Sequence, residues 1–123
     1  MKRIWIGLVL LLGLLAMGIL TMRYTDRQLQ GMSETLKQAS ETGDWSMAIA
    51  LAEAAQKDWQ RKWGLMAVLS DHGKMDTVDG AFAQIKVYQR YKDKTSHAST
   101  CALLSEELRD LAENHKLTWR NLL

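Results

Sequence analysis

Three polar residues near the middle of the chain, Asp71, His72 and Asp76, are the first candidates for chemistry. A histidine and a carboxylate four residues apart share one face of a helix, where they can bind a metal ion or exchange a proton. An aspartate at a helix start is also typical of an N-cap, and the HExxH spacing of zinc hydrolases is not present. We therefore interpret this group as capping residues first, with a metal or acid–base site as the alternative.

The remaining sequence carries no recognisable catalytic signature. Cys101, the only cysteine, is in helical phase with Leu104 and Leu108, which predicts a buried thiol and not a nucleophile. A serine–histidine–aspartate signature, a glycine-rich phosphate loop and a nucleotide fingerprint are all absent from the sequence. The sequence therefore predicts a protein that is not an enzyme, with no cofactor and no metal of its own.

Three tryptophans, Trp45, Trp59 and Trp63, lie along one face of a predicted helix. One use of such a face is an aromatic pocket for a cation or a sugar. The other is packing against a neighbouring helix, which regularly spaced tryptophans on an amphipathic face favour. We therefore predict that all three tryptophans belong to the hydrophobic core.

These residues must be positioned by helices, because apolar residues recur at three- and four-residue steps in four successive segments. The four stripes are Leu29, Met32, Leu36 and Ala39; Trp45, Ala48, Ala52, Ala55, Trp59 and Trp63; Met75, Val78, Phe82, Ile85 and Gln89; and Cys101, Leu104, Leu108, Leu111 and His115. No such helix buries its apolar face alone. The sequence therefore predicts an all-α fold: an N-terminal transmembrane helix followed by a compact bundle of about four antiparallel helices.

Short polar segments separate these helices. Gly43 occupies a position where a helix end favours positive φ, and Asp44 one where the next helix needs an N-cap. The residues from Ser70 to Lys74 interrupt the periodicity before the third helix, and a polar stretch at residues 92–96 precedes the fourth. We therefore expect short connections between antiparallel neighbours.

The N-terminal segment is predicted to be a membrane anchor. Residues 1–3 form a basic tag, and residues 4–22, from Ile4 to Met22, are free of charge. As a helix they would span roughly 28 Å, against a hydrocarbon core of about 30 Å. Residues 23–123 then form the bundle domain, and the predicted partner of the anchor is the lipid bilayer.

Charge distribution supports this division. The sequence has 16 basic and 14 acidic residues, and Lys2 and Arg3 account for the whole excess. A neutral bundle lacks the basic footprint of a nucleic-acid binder, so no nucleic-acid partner is expected. The basic tag directly before the apolar run predicts a cytoplasmic N-terminus and an extracytoplasmic helical domain in a single-pass protein of the cell membrane.

Two questions about the anchor stay open at this point. Ala16 and Gly18 have the small side chains that a signal peptidase accepts, so cleavage after Gly18 would instead give a secreted protein beginning at Ile19. The apolar run continues past Gly18 to spanning length, which favours retention. The glycines of the span do not form a small-xxx-small pair, so the sequence gives no clear signal for a homo-oligomer.

Short motifs along the whole chain resemble domain-of-unknown-function family 4363, whose members are small membrane-anchored helical proteins of spore-forming bacteria. These motifs are Gly43-Asp44-Trp45, the pair Trp59 and Trp63, Asp71-His72 with Met75-Asp76, and the tail Trp119-Arg120-Asn121-Leu122-Leu123. The chain departs from the family pattern at Met75 and Leu122, where isoleucine is expected, and in a more basic fourth segment. These departures leave the predicted fold unchanged.

The resemblance implies a location and an architecture but no activity. It suggests Asp71, His72, Asp76 and Asn121 as the polar residues to test. Our leading hypothesis is a non-catalytic interaction or accessory module at the bacterial cell envelope, which presents its bundle to another envelope protein such as a multi-span membrane protein. The alternative is a small-ligand or metal-binding envelope protein that uses the region from Asp71 to Asp76.

Overall fold

The described residues fold into four helices in the computed structural model. The structure describes residues 2–69 and 72–122, without the side chains of residues 21, 22, 25, 26, 65, 68, 69 and 114–122. The helices are α1 (Lys2–Glu41), α2 (Trp45–Leu69), α3 (His72–Arg90) and α4 (Lys94–Leu122). No strand occurs among these described residues. The predicted all-α fold, with an apolar N-terminal helix and a bundle, is confirmed.

Helix α1 is 40 residues long and runs without interruption from Lys2 to Glu41. Its apolar part, Lys2–Leu20, is long and apolar enough to cross a membrane, and none of it is buried in the protein. We call these residues the span segment and the rest of α1 the bundle segment. The predicted boundary at Met22 falls inside this helix, so no loop separates the span segment from the bundle.

The predicted apolar stripes meet in one hydrophobic core. Its buried members are Leu29, Met32, Leu36 and Ala39 of α1, Ala52, Ala55, Trp59 and Met66 of α2, Met75, Val78, Phe82 and Ile85 of α3, and Cys101, Leu104, Leu108, Leu111 and Ala112 of α4. Every helix therefore contributes one face to the interior, as the three- and four-residue spacing predicts. The side chain of His115, the last predicted member of the fourth stripe, lies outside the described residues.

Helices α1 and α4 form the most extensive helix pair of the bundle. At its centre the Ser33 hydroxyl donates to the carbonyl oxygen of Ser105, and the Ser105 hydroxyl donates to that of Ser33, both at 2.7 Å. The two Oγ atoms are 3.0 Å apart, and both serines are buried. Such bonds from a short side chain to the opposite backbone require a close approach of the two helices. The serine pair therefore fixes both the spacing and the register of α1 against α4.

Asp44 starts α2 as predicted. Its Oδ1 accepts hydrogen bonds from the backbone N–H groups of Ser46 at 3.0 Å and Met47 at 3.4 Å, the geometry of an N-cap. The prediction of positive φ at Gly43 is wrong, since no described glycine adopts it. The turn is made by Thr42 instead, whose hydroxyl accepts from the N–H of Asp44 at 3.3 Å. That side chain redirects the backbone without a left-handed residue.

The residue with positive φ lies instead in the turn between α3 and α4, at the same end of the bundle as the turn between α1 and α2. Lys92 has a φ of 57°, and the N–H of Asp93 bonds the carbonyl of Tyr88 at 2.9 Å, which is a Schellman motif. Asp93 then caps α4 by accepting from the N–H of Ser96 at 3.1 Å. Hydrogen bonds from Ser96 lower the pKa of Asp93, with the larger contribution from its side chain and the smaller from its backbone N–H. Because α4 already begins at Lys94, the polar connection is shorter than the predicted stretch at residues 92–96.

Candidate functional site

The structure places the predicted polar group on the surface where α3 begins. His72 is the first residue of α3, and both it and Asp76, one turn later, are exposed. Asp71 and the side chain of Asn121 lie outside the described residues. Among the residues that the structure describes, no group of three or more histidine, cysteine, aspartate or glutamate side chains is placed to hold a metal ion. The described part of this region therefore supplies two exposed side chains one turn apart.

A more strongly organised polar group joins α2 and α3. The indole N–H of Trp59 donates to Oδ1 of Asp79 at 2.7 Å, and that of Trp63 donates to Oδ2 at 3.1 Å. Both oxygens of one carboxylate are thus held by two tryptophans one turn apart. A carboxylate engaged in this way has a structural role, since it links α2 to α3 at the edge of the core.

The three tryptophans differ in burial, which corrects the prediction that all belong to the core. Trp59 is 1% exposed and packs inside, Trp45 is partly buried, and Trp63 is 43% exposed. The physical reason is Asp79, whose partly exposed carboxylate holds the Trp63 indole at the margin of the bundle. Trp63 therefore presents aromatic surface outside the core.

A cation–aromatic pair lies at the same end of the bundle. Lys62 Nζ is 4.6 Å from the centre of the Tyr24 ring and donates to the Tyr24 hydroxyl at 3.1 Å. The pair joins α2 to α1 four residues after the last residue of the span segment. Together with Trp63, it sets two aromatic rings and a cation near the point where α1 enters the bundle, the combination typical of a membrane–water interface.

A buried histidine lies at the opposite end of the bundle, close to the α1–α2 turn. His97 is 1% exposed, with its Nε2 atom 3.2 Å from Nε2 of Gln89 and its Nδ1 atom 3.9 Å from Sγ of Cys101. The Trp45 ring packs edge-on against it, with 4.9 Å between ring centres. Burial lowers the pKa of His97. The imidazole is therefore neutral at neutral pH and serves as a packed polar side chain.

The same buried surroundings make the Cys101 thiol unreactive. Cys101 is fully buried, and burial raises its pKa to about 12. Because the thiolate is the reactive form, a thiol that stays protonated at neutral pH is inert. The structure is thus consistent with the buried, unreactive Cys101 that its helical phase predicts.

An open cleft of about 220 Å³ borders His97. Its lining residues are Ala39, Thr42, Gly43, Trp45, Ala48, Lys94, His97 and Ala98. Among the described residues that line the cleft, Lys94 is the one charged side chain, and no carboxylate or second histidine accompanies it. The cleft offers packing surface but no converging set of groups for acid–base or metal chemistry.

Several organising residues are not evident from the sequence. Ser33 and Ser105 are 72 positions apart, and His97 and Asp79 each have partners on another helix. The helical phase of Ser33 and Ser105 places them beside the apolar stripes, which is the only local signal. Their pairing is a property of the three-dimensional fold.

Comparison with known proteins identifies the chain only at the level of a family. No curated protein and no solved structure gave a match. A family model described as a domain of unknown function matches residues 18–122. The matched range covers the bundle and the end of the span segment, which confirms the family resemblance. The chain therefore belongs to the DUF4363 family, a domain of unknown function.

Proposed function

We propose that the protein is a single-pass, membrane-anchored accessory protein of the bacterial cell envelope. The span segment stays in the bilayer with its N-terminus in the cytoplasm, and the bundle stands outside. The bundle has no catalytic activity and presents its surface to another envelope protein. Cleavage after Gly18, which would release the bundle, is the competing outcome.

The observation that carries this proposal is the environment of the span segment. Its large apolar side chains are 39–71% exposed, whereas those on the stripe of the bundle segment are almost completely buried. Exposed apolar surface of this extent is costly in water, at roughly 25 cal/mol for each Å². A lipid bilayer removes that cost, and a charge-free helix of this length fits it.

The charges support the proposed orientation. Lys2 and Arg3 supply the excess of basic residues and directly precede the apolar run. Basic residues beside a span favour the cytoplasmic side. Arg23, Arg27 and Lys37 follow the span on the far side and nearly balance this bias, so the proposed orientation rests on the basic tag that directly precedes the apolar run.

The polar groups of the described core support a structural role for the bundle. Ser33 pairs with Ser105, Asp79 accepts from two tryptophans, and His97 contacts Gln89. Each group satisfies another within the protein, as buried polar groups in stable interiors do. Groups committed in this way are poorly suited to act on a substrate, which supports an interaction role over catalysis.

A partner surface is proposed at the end of the bundle farthest from the span segment. Val87 and Tyr91 lie one turn apart at the end of α3 and are exposed, as is Met47 at the start of α2. Apolar and aromatic side chains are enriched at protein interfaces. We therefore place the contact with an envelope partner at this end.

The anchor is tested by replacing the adjacent exposed leucines Leu11 and Leu12 with arginine in the full chain. Each arginine near the centre of a membrane helix costs about 2.5–3.5 kcal/mol, so the double variant should leave the membrane fraction. The matched control replaces the exposed bundle residues Val87 and Leu103 with arginine, and this variant should stay in the membrane. Equal partitioning of the two variants would contradict the proposal.

The interaction role is tested with a photo-crosslinking amino acid at Tyr91 in intact membranes. A discrete crosslinked species should form from Tyr91 and not from Glu107, an exposed position on α4. Crosslinking to no protein from Tyr91, Val87 or Met47 would remove this surface from the account and leave the anchor untouched.

A further inference from the structure

We infer that the end of α2, residues 63–69, is a second membrane contact that lies in the lipid interface beside the span segment. This inference rests on the proposed anchor and extends it. It assigns the outer face of the bundle's proximal end, defined as residues 63–69 with Lys62 and Tyr24, to the bilayer instead of to water, while Met66 of this segment packs in the core. The partner to which we commit is lipid.

The register of α1 against α2 is the first step. Lys62 contacts Tyr24, and the same number of residues separates Tyr24 from the end of α1 at Glu41 as separates Lys62 from the start of α2 at Trp45. The two helices therefore run antiparallel and in step from their short turn. Residues of α2 beyond Lys62 lie beside residues of α1 before Tyr24.

The second step is how far α2 continues. Its last residue is Leu69, roughly 10 Å beyond Lys62 at the rise of a helix. That distance carries α2 past the start of the bundle segment and alongside the span segment. Seven residues before Tyr24 is position 17, so this register places Leu69 beside residue 17, inside the span segment.

The third step is a conflict of lengths. The part of the span segment before Leu15 is only about 20 Å long as a helix, whereas a hydrocarbon core is about 30 Å thick. A helix that crosses the bilayer must therefore use residues 15–20 as well. The end of α2, which lies beside residues 17–20, must then enter the bilayer interface with them.

The sequence of the proximal end fits that location. Residues 63–69 read Trp-Gly-Leu-Met-Ala-Val-Leu and carry no charge. Trp63 is 43% exposed, and Lys62 and Tyr24 lie on the side of this segment that faces away from the span segment. In a bilayer, aromatic rings and lysine side chains favour the headgroup region, and uncharged residues favour the hydrocarbon beneath it. The proximal end has its groups in this order.

Three glycines provide a matched test, because a Cβ atom added at Gly13, Gly64 or Gly43 would meet no neighbouring atom within 4 Å. Gly13 lies in the span segment, Gly64 in the proximal end, and Gly43 in the turn at the far end. Each is changed to cysteine in the full chain, labelled with a nitroxide and placed in phospholipid vesicles containing no other protein. The native Cys101 is buried, and the unsubstituted chain checks that it takes no label.

The readout is the accessibility of each label to oxygen, which concentrates in lipid, relative to a water-soluble nickel chelate. We expect the oxygen-to-nickel ratio to be highest for the label at position 13 and lowest for the label at position 43. The ratio at position 64 should be several-fold higher than that at position 43. A Gly64 label equal to Gly43, with Gly13 in lipid, would overturn the inference and leave the anchor standing. A Gly13 label accessible to nickel would overturn the anchor itself.

Discussion

The two parts of α1 share one continuous helix but have opposite surroundings. Leu12 in the span segment is largely exposed, whereas Leu36 in the bundle segment is completely buried by the other helices. Helix formation is therefore common to both parts, and what differs is whether the protein supplies a packing partner. The comparison teaches that most of the apolar surface of the span segment is left uncovered by the described part of the chain.

The largest expected effect is a loss of stability on truncating Leu36 that truncating Leu12 does not cause. Leu36→Ala should lower the free energy of unfolding of the bundle by about 2–5 kcal/mol, because it leaves a cavity in the core. The measurement is urea unfolding of the full chain in detergent micelles, followed by tryptophan fluorescence. Leu12→Ala is the matched control and should leave the bundle's unfolding midpoint unchanged. A comparable loss for both would mean that the span segment also packs in the bundle.

The serine pair gives the next effect, because it joins the bundle segment to α4. Ser33→Ala should cost about 1–3 kcal/mol by leaving buried polar groups of the pair with fewer partners. The double variant Ser33→Ala, Ser105→Ala should cost less than the sum of the two single variants, since residues in one network couple. Strict additivity in a double-mutant cycle would show that the two hydroxyls act independently.

The turn between α3 and α4 provides a smaller, stabilising change. Lys92 holds a φ of 57°, which costs a residue with a side chain on the order of 1 kcal/mol. Lys92→Gly should therefore raise the free energy of unfolding by up to about 1 kcal/mol. Lys94→Gly, in the first turn of α4, should change it in the opposite direction. If both glycines destabilise the bundle, the left-handed residue is not a source of strain.

The pH dependence of stability should report the burial of His97. Burial lowers its folded-state pKa below the ordinary value of 6.5, so on acidification the unfolded chain takes up the proton first. Stability should therefore fall as the pH drops below about 6.5 towards the folded-state pKa. In unfolding titrations, His97→Asn should remove this slope, while His72→Asn, at an exposed site, should keep it. A slope that depends on His72 instead would contradict the assignment.

The predictable part of the fold is the part determined by local periodicity. The stripe from Leu29 to Ala39 is buried as its spacing predicts, and Asp44 caps α2 because capping is a contact between near neighbours. Those inferences need only the sequence within one or two turns.

The rest depended on partners distant in sequence. Ser33 and Ser105 give no local sign of pairing, and Trp63 follows the same spacing as Trp59 although Asp79 holds it at the surface. Positive φ was expected at Gly43 because glycine favours it, yet the structure has it at Lys92, where the Schellman hydrogen bonds stabilise it. The candidate residues Asp71 and Asn121 stay predictions, since Asp71 and the Asn121 side chain lie outside the described residues.

The central claim is that the span segment remains in the membrane as part of the mature protein. Its most direct test is intact-mass spectrometry of the full-length chain recovered from alkali-washed membranes of the cells that produce it. The account predicts a membrane-retained chain whose mass includes residues before Gly18. A chain that begins at Ile19 and is recovered in the soluble fraction would contradict it.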